Sequence, residues 1–369
     1  MNVNIFLTTD CNLNCRHCGI DRSIRGESMD QELLERLFSD LKESDFQEIA
    51  ITGGEPLIQA EKLTSSLKKT GLGKEKTVKI FTNGMWARDY REAKEMIKEL
   101  ESAGVSRLLL STDEFHREFV PLEYIANAIR ASEDSSIEIG INMVSFRSTF
   151  KKDRKSVYKL AKMLGKEVKT VYRPVNLIKM AKYQRLSRVW PVLRAFLRYS
   201  PKKCLGIFYV LDDGSEELFI DQIWGTLEGN AKQNLREKDL MIRMYKIPAK
   251  KEILSKIREI KCESMEITVM PDGTLLPCCS FEMLNAYKDL KLGKYPETDL
   301  ESFRKNLETP PLSFLYSRKW KYLDEYIQGD GLFFECARVD GVSVLDLCDL
   351  CTEVHRSYSN KNFIEKTKI

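Results

Sequence analysis

The sequence has no run of 18 consecutive apolar residues, so it encodes no membrane-spanning helix. Its N-terminus lacks the basic stretch and cleavage site of a secretory signal peptide, so we expect a cytoplasmic protein with no membrane partner. Internal repeats and low-complexity tracts are also absent, which argues against a repeat architecture. The 369 residues are 43% hydrophobic and 31% charged, which is typical of a globular protein with one large domain or two ordinary ones.

Ten cysteines in such a chain need an explanation. Disulfide frameworks belong mostly to short, loop-rich secreted chains, whereas clustered cysteines in a reducing compartment more often bind metal or carry redox chemistry. Three cysteines lie within eight residues near the N-terminus, Cys204 stands alone, and the other six fall in the last third of the chain: Cys262, Cys278, Cys279, Cys336, Cys348 and Cys351. The two groups predict two metal sites.

The net charge of +4 is unevenly distributed. Residues 151–203 contain 17 lysines and arginines against only Asp153 and Glu167. This segment either presents solvated helix faces or docks an acidic partner such as a peptide. It contains no recognised RNA- or DNA-binding motif, so we expect no nucleic-acid partner.

Short apolar strands alternate with amphipathic helices in the first half of the chain. Ser28 and Gln31 predict a capping box for the first helix. The predicted strands are Ile5–Leu7, Ile49–Ile51, Val78–Phe81, Leu108–Leu110, Ile137–Met143 and Val168–Val175. Six β-α repeats predict an α/β fold with a parallel sheet, and both a partial (β/α) barrel and a doubly wound sheet fit this periodicity.

The pattern changes after about Lys179. Residues 205–211 and 218–223 flank a turn and predict a β-hairpin, and a second hairpin turns at Pro271-Asp-Gly273. We therefore divide the chain into a partial barrel (1–180), a basic helical and hairpin linking segment (181–255) and a C-terminal domain (256–369).

The motif Cys11-x3-Cys15-x2-Cys18 directly follows the first predicted strand. Three thiolates on one loop can hold three irons of a [4Fe-4S] cubane and leave the fourth iron open to a small molecule. A structural zinc site is the alternative, and it would need a fourth ligand, for which His17 is the local candidate.

The segment Cys11-Asn-Leu-Asn-Cys15-Arg-His-Cys18 resembles the signature of the radical S-adenosylmethionine (radical SAM) superfamily. The resemblance implies a partial (β/α)6 TIM-like barrel in which the open iron binds S-adenosylmethionine, whose reductive cleavage gives a 5′-deoxyadenosyl radical. It also implies a flavodoxin- or ferredoxin-type electron donor. The expected cofactor-binding residues follow predicted strands or lie on them: Gly53, Gly54, Glu55, Pro56, Ser111, Asp113 and Asn142.

The C-terminal cysteines form a second pattern. Cys262 and Cys278 flank the second predicted hairpin, and Cys348 and Cys351 form a CxxC pair. Four thiolates saturate either a [4Fe-4S] cluster or a zinc ion. The arrangement resembles the twitch form of the auxiliary-cluster domain, which implies an α+β auxiliary domain and a second [4Fe-4S] cluster.

A closer resemblance rests on five motifs: Asn83-Gly-Met-Trp86, Ser111-Thr-Asp-Glu-Phe-His116, Ile141-Asn-Met143, Pro277-Cys-Cys-Ser280 and the late CxxC. Together these motifs resemble those of the epipeptide-type radical SAM peptide epimerases. The resemblance implies that the enzyme converts L- to D-residues in a ribosomally made precursor peptide, with Cys279 returning a hydrogen atom to the substrate. Departures from that family are a longer 190–249 segment and no recognisable leader-peptide-binding domain before the barrel. The alternatives are a radical maturase that forms thioether or carbon–carbon crosslinks, a radical dehydrogenase of a small molecule, and a zinc-stapled binding protein.

Overall fold

A computed structural model describes residues 2–174, 204–213, 217–224, 229–240, 244–248, 266–290, 292–308, 333–339 and 342–346. The predicted metal ligands Cys262, Cys348 and Cys351 lie outside these residues, so the four-thiolate site and the auxiliary cluster remain predictions. No helix in the described ranges combines the length and the apolar character that crossing a membrane requires.

The strands of the described residues form two sheets. In chain order they are β1 (Asn2–Thr8), β2 (Glu48–Gly53), β3 (Thr77–Thr82), β4 (Arg107–Ser111), β5 (Glu138–Ser145), β6 (Glu167–Pro174), β7 (Cys204–Asp212), β8 (Glu217–Trp224), β9 (Met244–Pro248), β10 (Ile267–Val269), β11 (Leu275–Leu276), β12 (Phe333–Val339) and β13 (Val342–Asp346). The large sheet has the order β11-β10-β1-β2-β3-β4-β5-β8-β7-β6, and the small one has the order β13-β12-β9.

The α-helices of the same residues connect these strands. They are α1 (Gln31–Glu43), α2 (Ala60–Thr70), α3 (Leu72–Glu75), α4 (Tyr90–Ser102), α5 (Leu122–Ser132), α6 (Phe150–Leu164), α7 (Gly229–Asn234), α8 (Phe281–Asn285) and α9 (Leu300–Leu307).

The centre of the large sheet is parallel, as predicted. Seven strands pair in parallel with one another in the order β10-β1-β2-β3-β4-β5-β8. Helices α1 to α6 contribute buried residues to one apolar cluster that also contains Val3, Ile5 and Leu7 of β1. Because these helices share one cluster with one face of the strand, they cover one side of the sheet. The α/β fold class is thus confirmed, and the arrangement is that of a partial barrel.

One strand differs from the prediction of six successive β-α repeats. On the side of β5 away from β4, the strand that pairs in parallel is β8, with Ile141 opposite Ile220. Strand β6 instead pairs antiparallel with β7 at the edge of the sheet. The sequence did predict the hairpin of β7 and β8. This hairpin lies within the large sheet, between β5 and β6.

The start of α1 also differs from the prediction. Asp30 caps the helix, since its carboxylate accepts hydrogen bonds from the backbone N–H groups of Glu32 and Leu33 at 2.9 and 3.4 Å. Ser28 instead pairs with Thr8 through their hydroxyls at 2.8 Å, so the predicted capping box is wrong. Asp30 is one of the preferred N-cap residues, and it stands one position before the first helical residue.

Strand β1 is buried on both faces and links the two halves of the chain. Phe6 faces away from the helices and packs with Met270, Leu276 and Tyr287 in a second apolar cluster. Asn4 donates a 2.9 Å hydrogen bond to the Glu266 carboxylate, which directly precedes β10. The 266–290 segment is therefore joined to the first strand of the sheet, and the predicted second hairpin is confirmed as β10 and β11.

Candidate active site

A cavity of about 460 Å³ lies at the carboxyl ends of the parallel strands. Ligands bind at this edge in α/β folds because the loops that follow neighbouring strands converge there. The lining residues relevant to chemistry come from the ends of β1, β2, β3, β4, β5 and β8: Cys11, Cys15, His17, Cys18, Arg25, Gly53, Gly54, Glu55, Thr82, Asn83, Ser111, His116, Val144 and Ile223.

The loop after β1 presents all three predicted cluster ligands to this cavity. Burial raises the pKa of the Cys11 thiol to about 11, and burial also raises the pKa values of Cys15 and Cys18. The thiols add to this effect, because each negative charge at Cys11 or Cys18 further raises the pKa of Cys15. Three thiolates at this place therefore need a cationic partner.

The Gly53-Gly-Glu-Pro56 turn packs backbone to backbone on the residues that precede Cys11. The Gly54 N–H donates to the Thr8 carbonyl and the Glu55 N–H donates to the Asp10 carbonyl, both at 2.8 Å. A Cβ atom on Gly54 would lie 2.0 Å from the Asp10 oxygen, so only glycine permits this approach. Pro56 is buried and begins a single 3-10 turn that ends at Gln59.

Glu55 joins the ends of β2 and β3. Its carboxylate accepts hydrogen bonds from the Leu57 N–H at 3.1 Å, the Thr82 hydroxyl at 2.7 Å and the Asn83 N–H at 2.7 Å. Burial nevertheless raises the pKa of the Glu55 carboxyl to about 7. The Asn83 amide also lies 3.9 Å from the Cys11 sulfur, which connects Glu55 to the cysteine loop.

Of the residues predicted to contact the cofactor, some lie at the cavity and one lies behind its wall. Ser111 lines the cavity, as Glu55 and both glycines do. Asn142 lies on β5 two residues before Val144, which places it on the sheet face that borders the cavity. Asp113 is 1% exposed and does not contribute to the lining; it lies behind the cavity wall.

Asp113 holds two imidazoles beside the cysteine loop. Its Oδ2 atom lies 2.7 Å from His116 Nδ1 and 3.2 Å from His17 Nε2. Burial lowers the pKa of His116, but the Asp113 carboxylate outweighs this effect and the pKa stays above its ordinary value. The ligand atoms of Cys15, His17 and His116 lie within 4.8 Å of one another, so both rings border the Cys15 thiol. His17 Nδ1 is buried and has no hydrogen-bond partner among the described residues.

The later parts of the chain contact the cysteine loop directly. Asn285 of α8 donates to the Gly19 carbonyl at 2.9 Å and accepts from the Asp21 N–H at 2.7 Å. The Ala231 N–H of α7 donates to the Cys18 carbonyl at 3.0 Å. These contacts close the loop from the side opposite the sheet strands.

Cys278 and Cys279 follow β11. Cys278 is buried in the second apolar cluster, and Cys18 packs against that same cluster. Cys279 is half-buried, and neither cysteine lines the cavity. None of five cysteines forms a disulfide: Cys11, Cys15, Cys18, Cys278 and Cys279.

The donor set fits a [4Fe-4S] cluster. Three thiols that raise one another's pKa values are stabilised as thiolates when irons supply positive charge. The cavity also leaves room for a small molecule against the Gly53–Glu55 backbone. The same loop also offers ligands to zinc, because Asp113 contacts one nitrogen of His17 and of His116 and leaves the other nitrogen of each ring for a metal.

Comparison with known families gives an independent answer. The model of the radical SAM superfamily matches residues 5–177, which contain the cysteine loop and most of the cavity wall. Residues 5–177 are a radical SAM domain. The domain is enzymatic, and its cofactors are a [4Fe-4S] cluster and S-adenosylmethionine. The resemblance inferred from the cysteine motif is thereby confirmed at the superfamily level.

Curated relatives of this chain are named for different activities. The putative peptide biosynthesis protein YydG of Bacillus subtilis (strain 168) is 30% identical over 144 residues, which cover 38% of this chain and 45% of YydG. The GTP 3′,8-cyclase of Petrotoga mobilis is 23% identical over 331 residues, which cover 84% and 91% of the two chains. The chain spans less than half the length of the first curated relatives that it matches.

Two solved structures match this chain over most of its length. The structure of native anSMEcpe with bound AdoMet and Kp18Cys peptide gives a TM-score of 0.49 at 16% identity and covers 100% of this chain and 99% of that one. Streptococcus suis SuiB bound to precursor peptide SuiA gives a TM-score of 0.42 at 12% identity, with coverage of 85% and 64%.

Several residues of the site were not predicted. Thr82 and Asn83 follow the third strand, so the rule that ligands bind at strand ends would have indicated them. His116 stands three residues after Asp113, a spacing that allows a side-chain contact within one turn. The local sequence around Arg25 and α7 does not indicate a role in the site. Only the folded chain brings Arg25 to the cavity and α7 to the cysteine loop.

Proposed function

We propose that this radical SAM enzyme is a peptide epimerase, which converts L- to D-residues in a ribosomally made peptide. Support for a peptide substrate comes from the relative YydG, whose name describes peptide biosynthesis. The basic 151–203 segment is consistent with an acidic peptide partner. The proposed auxiliary [4Fe-4S] cluster would be held by Cys262, Cys278, Cys348 and Cys351.

The observation that carries the proposal is the position of Cys278. Its side chain packs in the apolar cluster against which Cys18 also packs, so the Cys278–Cys279 pair lies beside the cysteine loop. A hydrogen donor has to reach the face of the substrate Cα opposite the cofactor radical, and Cys279 is the half-buried member of this pair. The role needs a protonated thiol rather than a thiolate.

We assign a separate role to each group of residues in the site. Cys11, Cys15 and Cys18 would hold the cluster, the Gly53–Glu55 turn would bind the amino group of the cofactor, and Ser111 and Asn142 would contact its ribose. When bound, the cluster and S-adenosylmethionine supply a carbon radical that removes one hydrogen atom from the substrate Cα. Asp113 would orient His116 and His17 in the wall.

Cys279 would then complete the inversion. Its S–H bond breaks, the hydrogen atom forms a new C–H bond on the opposite face of the Cα, and the sulfur is left as a thiyl radical. One electron from a flavodoxin- or ferredoxin-type donor and one solvent proton restore the thiol. The peptide loses one hydrogen atom and receives one, so its composition does not change.

A single experiment tests the reaction class. The anaerobically reconstituted enzyme is incubated with S-adenosylmethionine, a reductant and a candidate precursor peptide in D2O. Because a thiol exchanges with solvent, each inverted residue should gain about one dalton. A peptide that loses two hydrogens would indicate crosslinking instead, and an unchanged peptide would indicate a small-molecule substrate.

Two variants test the donor. Cys279→Ala and Cys279→Ser should both cleave the cofactor but lose inversion, because the serine O–H bond is too strong to replace the thiol. Ser280→Ala is the matched control, since it changes the adjacent half-buried residue and should still invert the peptide. Normal inversion by either Cys279 variant would refute the assignment.

A further inference from the structure

Arg25 lies in the wall of the cavity beside the three cysteines of the loop. Its side chain is half-buried, and its Nη1 atom donates a hydrogen bond to the Leu13 carbonyl at 3.3 Å. Leu13 lies within the cysteine loop, between Cys11 and Cys15, so this bond ties the guanidinium to that loop. Burial raises the pKa of Cys18, and the positive charge of Arg25 opposes the rise. A positive charge is therefore held in the cavity wall that the three cysteines also line.

The backbone around Arg25 is fixed on both sides. Residues Arg22–Ile24 form a 3-10 turn whose start is capped by the Asp21 carboxylate, which accepts from the Ser23 N–H at 2.8 Å. Ile24 is buried in the second apolar cluster. The Asp21 N–H donates to Asn285 at 2.7 Å. Arg25 ends this turn, so the guanidinium is directed by a packed segment rather than by a free loop.

Among the residues that the structure describes, no carboxylate lies in ion-pair distance of the Arg25 guanidinium, whereas Arg16 pairs with Glu118 at 2.5 Å. Within this part of the chain, the charge of Arg25 is therefore directed at whatever the cysteines hold. A partly buried charge is poorly screened by salt, so its effect on a neighbouring group is strong.

We propose that Arg25 is a positioning residue that raises the reduction potential of the [4Fe-4S] cluster at Cys11, Cys15 and Cys18. The inference rests on the proposed assignment of these cysteines as the cluster ligands. A cluster with three thiolates carries net negative charge, and one-electron reduction adds another negative charge. A guanidinium in the wall of the same cavity stabilises the reduced form more than the oxidised form, through its positive charge. The electron comes from the external reductant, and no bond in Arg25 changes.

The test is a redox titration of the reconstituted cluster followed by electron paramagnetic resonance. Arg25→Gln and Arg25→Met remove the charge, Arg25→Lys retains it, and Arg22→Gln removes an exposed arginine of the same turn. At the midpoint potential of the wild type, the ratio of reduced to oxidised cluster should fall about tenfold in the neutral variants, which is about 59 mV for one electron. Arg25→Lys and Arg22→Gln should stay within about threefold of the wild type.

The outcomes are distinguishable. Neutral variants with full iron content and an unchanged ratio would overturn the inference, as would a loss of S-adenosylmethionine affinity without any shift in potential. A failure of both neutral variants to retain iron would assign Arg25 to cluster assembly instead, and would also overturn it. A wild-type protein that takes up no iron would contradict the proposed function itself, whereas a loaded cluster with an unchanged potential contradicts only the role of Arg25.

Discussion

The side chain of Asn230 donates a 2.8 Å hydrogen bond to the carbonyl oxygen of Cys15, across 215 positions of the chain. Asn230 is fully buried, and its neighbour Gly229 approaches so closely that a Cβ there would lie 2.1 Å from the Gly19 oxygen. Together with the bond from Ala231 to the Cys18 carbonyl, these contacts fix the backbone of two of the proposed cluster ligands. A loop whose backbone is already fixed loses less conformational entropy when it binds a cluster.

Asn230→Ala should therefore weaken retention of the cluster. The buried Cys15 carbonyl would lose its partner, which costs about 1–3 kcal/mol. We expect iron to pass to a chelator about tenfold faster, since each 1.4 kcal/mol or so changes a rate tenfold. The control is Lys232→Ala, an exposed change in the same helix. Equal release rates for the two variants would show that the contact does not hold the loop.

Gly54→Ala should disturb the cofactor site by steric conflict alone. The new Cβ would meet the Asp10 oxygen at 2.0 Å, and because that atom is backbone it cannot rotate away. Overpacking of this kind costs about 1–3 kcal/mol or more, so the melting temperature should fall and S-adenosylmethionine affinity should drop at least about tenfold. Gly165→Ala is the control, because it adds only strain at a positive φ of 70° in open space. It should cost about 1–2 kcal/mol and leave the cofactor affinity unchanged.

The sequence predicted the parts of the fold that depend on local pattern. The alternation of apolar strands and amphipathic helices up to residue 174 and both hairpins are confirmed. The place of β8 next to β5 could not be predicted, because strand order depends on long-range pairing rather than on periodicity. For the same reason, the sequence could not predict the contact of Asn230 with Cys15, which is 215 positions away.

The candidate site shows the same division. The motifs gave Cys11, Glu55 and Ser111, which do meet in one cavity, because the carboxyl ends of parallel strands converge. Asp113 came from the same reasoning, yet its carboxylate is turned into the wall by two imidazoles. A motif places a residue near the ligand, but the direction of its side chain depends on neighbours that the motif does not contain.

The cofactor-free protein should become less stable as the pH rises through the range set by Glu55. Burial raises the pKa of this carboxyl from 4.5 to about 7, so the folded protein binds more protons than the unfolded chain between these values. The free energy of unfolding should therefore fall by about 3 kcal/mol from below pH 4.5 to above pH 7. Urea unfolding at several pH values measures it.

Glu55→Gln should remove this part of the pH dependence, because glutamine does not titrate. The variant should be less stable overall. The NH2 group of glutamine replaces one carboxylate oxygen and cannot accept a hydrogen bond such as that from the Asn83 N–H. Glu61→Gln, at an exposed position of α2, should keep the wild-type pH dependence. A Glu55→Gln variant whose stability varies with pH as the wild type does would rule out Glu55 as the titrating group.

Asp113→Asn should lower both the stability of the fold and the pKa of His116. The carboxylate is buried between two imidazoles; burial raises its pKa, but His116 and His17 outweigh this and hold it well below the ordinary value. Removing one member of a buried ionic set costs about 3–5 kcal/mol. The chain has only 3 histidines, so their imidazole signals can be followed through a pH titration by NMR. Asp134→Asn, which breaks an exposed pair with Lys94, should change stability by less than about 1 kcal/mol and leave His116 unaffected. If His116 titrates identically in both variants, its raised pKa has another cause, and Asp113 serves only to tie the backbone N–H groups of Phe115 and His116.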